Sequence, residues 1–369
     1  MNKVRRHDLD WLRVFVFGLL IFYHVGMFFV PWGWHLKNNI TYEWLTYPML
    51  FVNQWRLAIL FVISGMGTCF ALAHRTPRLY MKERLIRLGF PLIFGMLVIV
   101  PPQVYFERLV DETFTGSYFN FLTTVAYHGI YPEGNISWHH LWFLPYLLIF
   151  SLLLTPVFIY LRNNPGAGIL MMVEKVMSLK YGWYLFAIPL IVAEIFLEPF
   201  FDETHALIGD WFALTNYVIL FFYGYLFVKI GDRFWMSIGK IKFTVFCACI
   251  LLFGCYIAIR QLDDGLIVHC VEGILKVFNF WSWILVLFAY SAQWFNRKSK
   301  LLSYCNTAVY PFYIFHQTVT VSLAYYMINW EVGFLIKFLI LSLGTFLISW
   351  LLYEIIRRSK ITRPLFGLK

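Results

Sequence analysis

Charge is scarce in this chain. Only 14% of its 369 residues are Asp, Glu, Lys or Arg, where a soluble domain carries about 25%. With 60% apolar residues and a mean hydropathy of +0.68, that deficit excludes an ordinary water-soluble enzyme. Cysteine is sparse as well. The six, Cys69, Cys247, Cys249, Cys255, Cys270 and Cys305, form no CxxC pair, and the Cys247/Cys249 spacing is not that of a zinc site. They are expected to be small apolar fillers. No small-residue cleavage pattern precedes Pro31, so the first apolar stretch is expected to remain as a permanent helix and not to be removed as a signal peptide. There is no stretch of soluble composition and no visible internal repeat, and no carboxylate stands at a convincing metal-ligand spacing from a histidine, so no metal is expected.

What is present is apolar and aromatic: 39 Phe, 23 Tyr and 15 Trp. The pattern predicts an all-α integral membrane protein with about ten spans of roughly 20 residues, the length that a bilayer demands. They run over 10–30, 49–73, 88–106, 140–161, 183–200, 211–229, 243–260, 271–292, 304–328 and 332–354, in a single membrane domain over 1–369. With both termini in the cytoplasm, the inner segments collect 23 of the 30 basic residues, from Lys3, Arg5 and Arg6 to Arg363 and Lys369. The outer loops carry acids such as Glu43, Glu107, Asp111, Glu133 and Glu203. That split obeys the positive-inside rule. The net charge of +10 therefore reports topology and contact with anionic lipid, not nucleic-acid binding. The longest loops are 106–139 outside and 162–182 inside. The first, with YHGIYPEGNISWHH, reads as a structured lid or substrate surface.

Polar residues inside such spans are expensive and mark pathways, relays or catalysis. Arg13 and His24 lie in the first span, eleven residues and thus about 16 Å apart along a helix. His24, toward the outer half, suits a general base, since a neutral imidazole removes a proton from a hydroxyl near neutral pH. The bland alternative is a histidine bonded across helices, and for Arg13 a topology charge. Arg56, about seven residues into the second span, needs an anion or a hydrogen-bond network; the candidate anions are Glu194, Glu198, Glu272 or a negative part of a substrate. Ser64, Gly65 and Gly67 then loosen that helix or allow close packing. The inner run HRTPRLYMKERLIRLGFP places Arg84 and Arg87 on one helical face, with Lys82, Arg78 and Arg75 extending the patch. It is either topology charge or a seat for a polyanion such as a nucleotide diphosphate, since arginine forks onto phosphate oxygens. His139 and His140 open the fourth span. As neighbours they point apart, so one alone faces a site easily, and His140 is taken with Trp138 and Glu133 as the outer substrate surface. Asn306, Tyr310, Tyr313 and His316, with Gln317, make a polar stripe on the ninth span, as a helix lining a cavity or bundle interior does.

Five pieces in this order resemble the membrane acyltransferases of acyltransferase family 3. They are LDWLR at 9–13 with a histidine eleven residues on, QWRLAILFVISG at 54–65, RLIR at 84–87, HLWFL at 140–144 and NTAVYPFYIFHQ at 306–317. Within that family the resemblance is to a group of succinyltransferases that act on periplasmic glucans. It covers the full length and the ten-span plan.

The resemblance implies transfer of an acyl group, succinyl or acetyl, from cytoplasmic acyl-CoA to a hydroxyl of an extracytoplasmic glycan, in a bacterial inner membrane. It implies His24 as catalytic base, Arg13 in the same motif, and Arg84 and Arg87 on the coenzyme side, where Lys82, Arg78 and Ser64 join them. Asn306, Tyr310, His316 and Ser64 are oxyanion-donor candidates, and Arg56 is the candidate cation for a succinyl carboxylate. A covalent acyl intermediate on His24 is the alternative to direct transfer, since no Ser or Cys has a clear triad. Trp32, Trp34, Trp138 and Trp142 are available to stack on sugar. Expected partners are acyl-CoA, the glycan and membrane lipid, with glucan-synthesis or export proteins and a second copy of the chain as further ones. A transporter or exporter of a polar or acylated substrate is the rival class, although it predicts related halves, which are not found.

Overall fold

In a computed structural model, residues 6–263 and 265–368 are described. The expected inner charges Lys3, Arg5 and Lys369 lie outside them. The protein is all-α among the described residues apart from one isolated bridge, Ile130 to Ile136. In chain order come α1 His7–Met27, α2 Thr46–Leu72, α3 Pro77–Arg84, α4 Phe90–Phe94, α5 Pro101–Val110, α6 Tyr118–Thr124, α7 Phe143–Leu153 and α8 Thr155–Asn163. They continue with α9 Gly168–Ser178, α10 Ile188–Phe196, α11 Trp211–Lys229, α12 Asp232–Ile259, α13 Leu266–Trp294, α14 Lys300–Met327 and α15 Phe334–Ile356.

The span count differs from the expected ten. Among the described residues eight helical rods are long and apolar enough to cross a membrane, and nine if α7 with its 3-10 entry and α8, bent by 46° at Leu154, are one crossing. Pro156 in the first turn of α8 lacks an N–H and favours that break. The helix left over is α14. Its 28 residues are long enough, but its polar stripe lowers its hydropathy. The third crossing is longer than expected. It is one rod over Pro77–Val110, in which α3, α4 and α5 are joined by π-turns at Leu85–Gly89 and Gly95–Ile99. The basic run, whose Arg84 and Arg87 were expected on one helical face, lies within this rod.

The chain divides into two compact units: 1–13, 51–83 and 146–302 in the first, and 14–50, 84–145 and 303–369 in the second. In the first, α2 and α11 meet backbone to backbone. A Cβ at Gly65 would lie 1.9 Å from the Phe221 carbonyl oxygen, and one at Gly224 2.0 Å from that of Val62. The close approach anticipated for the SGMG segment is thus real, and it belongs to Gly65. Glu194 of α10 pairs with Lys276 of α13 at 2.5 Å, and Glu272 pairs with Arg260. Two of the three carboxylates expected for Arg56 are thus held by other cations. Arg56 is buried, with Tyr217 among its electrostatic neighbours, and the Tyr217 hydroxyl donates to Glu203 at 2.5 Å. Burial works to raise the Glu203 carboxyl, but His205 and the Tyr217 hydroxyl outweigh it and hold it down to about 2.

In the second unit, the proline-rich rod leaves backbone carbonyls for side chains to claim. Pro91 cannot give the helical N–H that Arg87 O would receive, and the Tyr310 hydroxyl donates there at 2.9 Å. Pro101 likewise leaves Leu97 O to the Tyr127 hydroxyl at 2.8 Å. Gln103 N bonds Val100 O, and Ile99 O accepts the Thr318 hydroxyl at 2.7 Å. The turn after α1 is closed by Lys37, which donates to Met27 O and Val30 O, as a cation at a helix C-terminus does.

Gly65→Ala or Gly224→Ala is expected to destabilise the detergent-solubilised protein by about 3 kcal/mol through overpacking. Gly67→Ala, whose added methyl meets nothing within 4 Å, is expected to leave the thermal midpoint unchanged. Heating followed by size-exclusion chromatography measures both.

Candidate functional site

The second unit gathers histidines from three separate stretches of chain around α14. His24, three residues before the end of α1, has its Nδ1 2.7 Å from His316 Nε2, with the rings stacked at a centroid separation of 4.9 Å. His316 is fully buried and its Nδ1 is 2.8 Å from Tyr313 O. A carbonyl oxygen only accepts, so His316 carries its hydrogen on Nδ1. Its Nε2 then accepts from His24 Nδ1–H. The lone pair of the neutral His24 ring is thereby assigned to Nε2, by the network and not by an observed hydrogen.

A second chain of bonds runs beside the first. Thr318 gives its hydroxyl hydrogen to Ile99 O, so Thr318 Oγ1 accepts, and the Gln103 group 2.6 Å away is the amide nitrogen. That nitrogen also faces His140 Nδ1 at 3.3 Å, while His140 Nε2–H donates to Ile314 O at 3.0 Å. Gln103 Oε1 accepts from Gln317 Nε2 at 3.0 Å, and the other hydrogen of that amide reaches His35 Nε2 at 2.9 Å. His35 must therefore hold its hydrogen on Nδ1, from which it donates to Glu107 Oε2 at 2.5 Å. Gln103, His140, Gln317 and Glu107 are all buried, as an internally satisfied polar network requires. Tyr313 ties the two chains together, since its hydroxyl donates to His140 O at 2.6 Å.

The loop expected as a structured surface is built around Arg108, which donates to Asn135 Oδ1, Pro132 O and Gly134 O. Tyr131 in that loop bonds Glu107. Burial and then the Glu107 charge push its phenol up to about 12, so it stays protonated and donates. His139 has φ +40°, in the left-handed region. Its ring lies 4.5 Å from that of His35.

The predicted site residues separate into groups. His24 and His316 are brought together. Tyr310 is placed elsewhere: its hydroxyl is committed to Arg87 O, and both Arg84 and Arg87 act on it electrostatically. Asn306 is ten residues from His316 on α14, about 15 Å along the axis. His140, taken as a substrate contact, has both ring nitrogens engaged inside the network, and it is His139 that turns toward His35. Glu133 is exposed in the loop, and Trp138 is half-buried beside it. In the first unit, Arg13 pairs with Asp10 at 4.0 Å, Ser64 is half-buried in α2, and Arg78 and Lys82 stand exposed on α3. The arginine pair expected on one α-helical face is interrupted, because Arg87 sits within the π-turn that follows Arg84. His35, Glu107 and Gln103 were missed. The signal was there in Gln and Glu inside the apolar run PPQVYFERL.

These features are those of a multi-span membrane protein with a buried histidine network. The chain belongs to acyltransferase family 3, whose acyltransferase-domain model matches residues 6–354. Among curated proteins it is similar to glucans biosynthesis protein C of Escherichia coli (strain K12), 24% identical over 388 residues covering all of this chain and 96% of the relative. It is also similar to that of Salmonella schwarzengrund (strain CVM19633), 23% identical over 375 residues covering 98% of this chain and 94% of the relative. No solved structure matches.

Gln103→Leu leaves His140 Nδ1 and the Gln317 amide without their partner, and is expected to cost about 2 kcal/mol, read as a lowered thermal midpoint. Glu133→Ala, in the exposed loop, is expected to leave that midpoint unchanged.

Proposed function

We propose that this protein moves an acyl group, succinyl or acetyl, from cytoplasmic acyl-CoA to a hydroxyl of an extracytoplasmic glycan, in a bacterial inner membrane with both termini inside. The observation that carries this reading is the His24–His316 pair, whose tautomers put a basic nitrogen at His24 Nε2. Family membership supports acyl transfer, and the name of the relatives supports a glucan as acceptor. The charge asymmetry of the loops supports the orientation.

His24 Nε2 takes the proton of the acceptor hydroxyl as its oxygen attacks the thioester carbonyl. The tetrahedral intermediate collapses, the C–S bond breaks, and His24 returns the proton to the departing thiolate. While His24 is cationic, its Nδ1–H is held by the neutral Nε2 of His316, which plays the orienting part of a third triad member. His316 and Tyr310 have their own hydrogens engaged with Tyr313 O and Arg87 O, which argues against both as oxyanion donors. Arg84 and Arg87, beside Tyr310, are the proposed seat of the coenzyme phosphates, and Arg78 and Lys82, a few residues before them in the chain, extend the basic run. Arg56 remains the cation proposed for a succinyl carboxylate. Arg13 is assigned to holding the start of α1 through Asp10.

Purified protein incubated with labelled acetyl- or succinyl-CoA and a gluco-oligosaccharide tests the assignment. His24→Ala is expected to lose transfer by a factor on the order of 10³ while it remains folded, and full activity in that variant sinks the catalytic role. His316→Ala is expected to lose about ten- to a hundredfold. If Arg56→Met lowers succinyl transfer no more than acetyl transfer, Arg56 is not the carboxylate site.

A further inference from the structure

Beyond the histidine pair, the second unit holds a cluster that the proposed chemistry does not use. One nitrogen each of His35 and His139 and one oxygen of Glu107 lie within 4.8 Å of one another. His139 Nε2 is buried and has no hydrogen-bond partner among the described residues. Its other ring nitrogen is 3.0 Å from Ser137 Oγ, which also accepts the His139 backbone N–H. A buried polar nitrogen left alone costs about 1–3 kcal/mol, and here it sits on a backbone in the left-handed region, the kind of strain that collects at ligand sites.

Two histidines and a glutamate are also the donor set of many zinc sites. The amide chain argues against a cation. A metal on His35 Nδ1 requires the ring hydrogen to move to Nε2, where it would face the Gln317 N–H. Turning Gln317 over would turn Gln103 over as well, and set the Gln103 oxygen against Thr318 Oγ1 and His140 Nδ1. His35 is thus fixed as a donor to Glu107. What this pair suits is one neutral oxygen that both donates and accepts, at ordinary hydrogen-bond distance from His139 and Glu107. Glu107 already accepts from His35 and Tyr131, and a carboxylate has about four lone-pair sites. Aromatic rings flank the cluster: Tyr131 lies edge-on to His139 at 4.9 Å, and Trp34 is tilted against His35 at 5.5 Å. Apolar rings around a few fixed polar groups are how pockets hold a polar ligand in one orientation.

We propose that His139 and Glu107 bind a single hydroxyl of a saccharide, donating to it from His139 and accepting from it at Glu107, as a positioning subsite for the glycan. Naming the ligand as the acceptor rests on the acyltransfer reading; the binding does not, because it needs no acyl donor. The test is calorimetric titration of the full-length protein in detergent with a gluco-oligosaccharide and no CoA ester. His139→Ala and Glu107→Gln are each expected to weaken binding at least tenfold, His139→Ala with an unchanged thermal midpoint and Glu107→Gln with a lowered one, since its amide cannot accept from both His35 and Tyr131 as the carboxylate does. In transfer assays His139→Ala is expected to raise the acceptor KM with little change in kcat or in the donor KM. His139→Asn, which can still donate, is expected to recover part of the affinity. His24→Ala is expected to bind sugar normally although it transfers nothing, which separates this proposal from the catalytic one. Unchanged sugar affinity in both His139→Ala and Glu107→Gln, no sugar binding by the wild type, or stoichiometric zinc binding that His139→Ala abolishes each overturns it.

Discussion

A helical carbonyl oxygen can accept a hydrogen bond and can never donate one, and two such oxygens, on Tyr313 and Ile314, set the state of the whole site. Tyr313 O forces the hydrogen of His316 onto Nδ1 and so fixes which nitrogen of His24 is basic. Ile314 O forces the hydrogen of His140 onto Nε2, and from there the order of donors and acceptors runs through Gln103 and Gln317 to His35 and Glu107. Apart from the Glu107 carboxylate at its end, the arrangement is held without charge, which matters in a medium where a stray charge is costly. Each ring takes its tautomer from a peptide group that cannot titrate.

The carbonyls that prolines release work in the same way. Pro91 and Pro101 each withhold an N–H, and Tyr310 and Tyr127 occupy the oxygens left behind. Thr318, on Ile99 O, is the link by which the rod Pro77–Val110 fixes the Gln103 amide. The irregular stretch of this rod is thus where it docks on α14, an example of a π-turn at a working surface.

The sequence made much of this legible. His24 stood out because an ionisable group in an apolar segment has few bland explanations, and the Tyr313–His316–Gln317 stripe showed which side of α14 faces the interior. The order of five short motifs pointed to the family. Pairings across distance were not legible. Glu107 was read as an outer-loop acid because nothing in its neighbourhood reveals His35, 72 residues earlier. His140 was preferred to His139 because adjacent residues differ only in direction, which a sequence does not carry. Arg56 was matched to Glu194, Glu198 or Glu272 on depth alone, and Lys276 and Arg260 hold the first and the last of these. The eight or nine candidate crossings fall short of the expected ten because α14 spends its hydropathy on polar groups and α7–α8 is broken.

That last feature bears on how the protein is made. Membrane insertion selects helices one at a time by their apolarity, and α14, the helix that orients the histidines, is the one long helix among those described that is too polar to qualify. Its buried His316, Gln317 and Thr320 become tolerable only against Gln103, His35 and the Thr345 hydroxyl of α15. If α14 crosses the bilayer, it does so in company, drawn in by helices that are already there or that follow it. The order of synthesis favours this, since α1 and α5 precede α14 and the strongly apolar α15 follows it immediately.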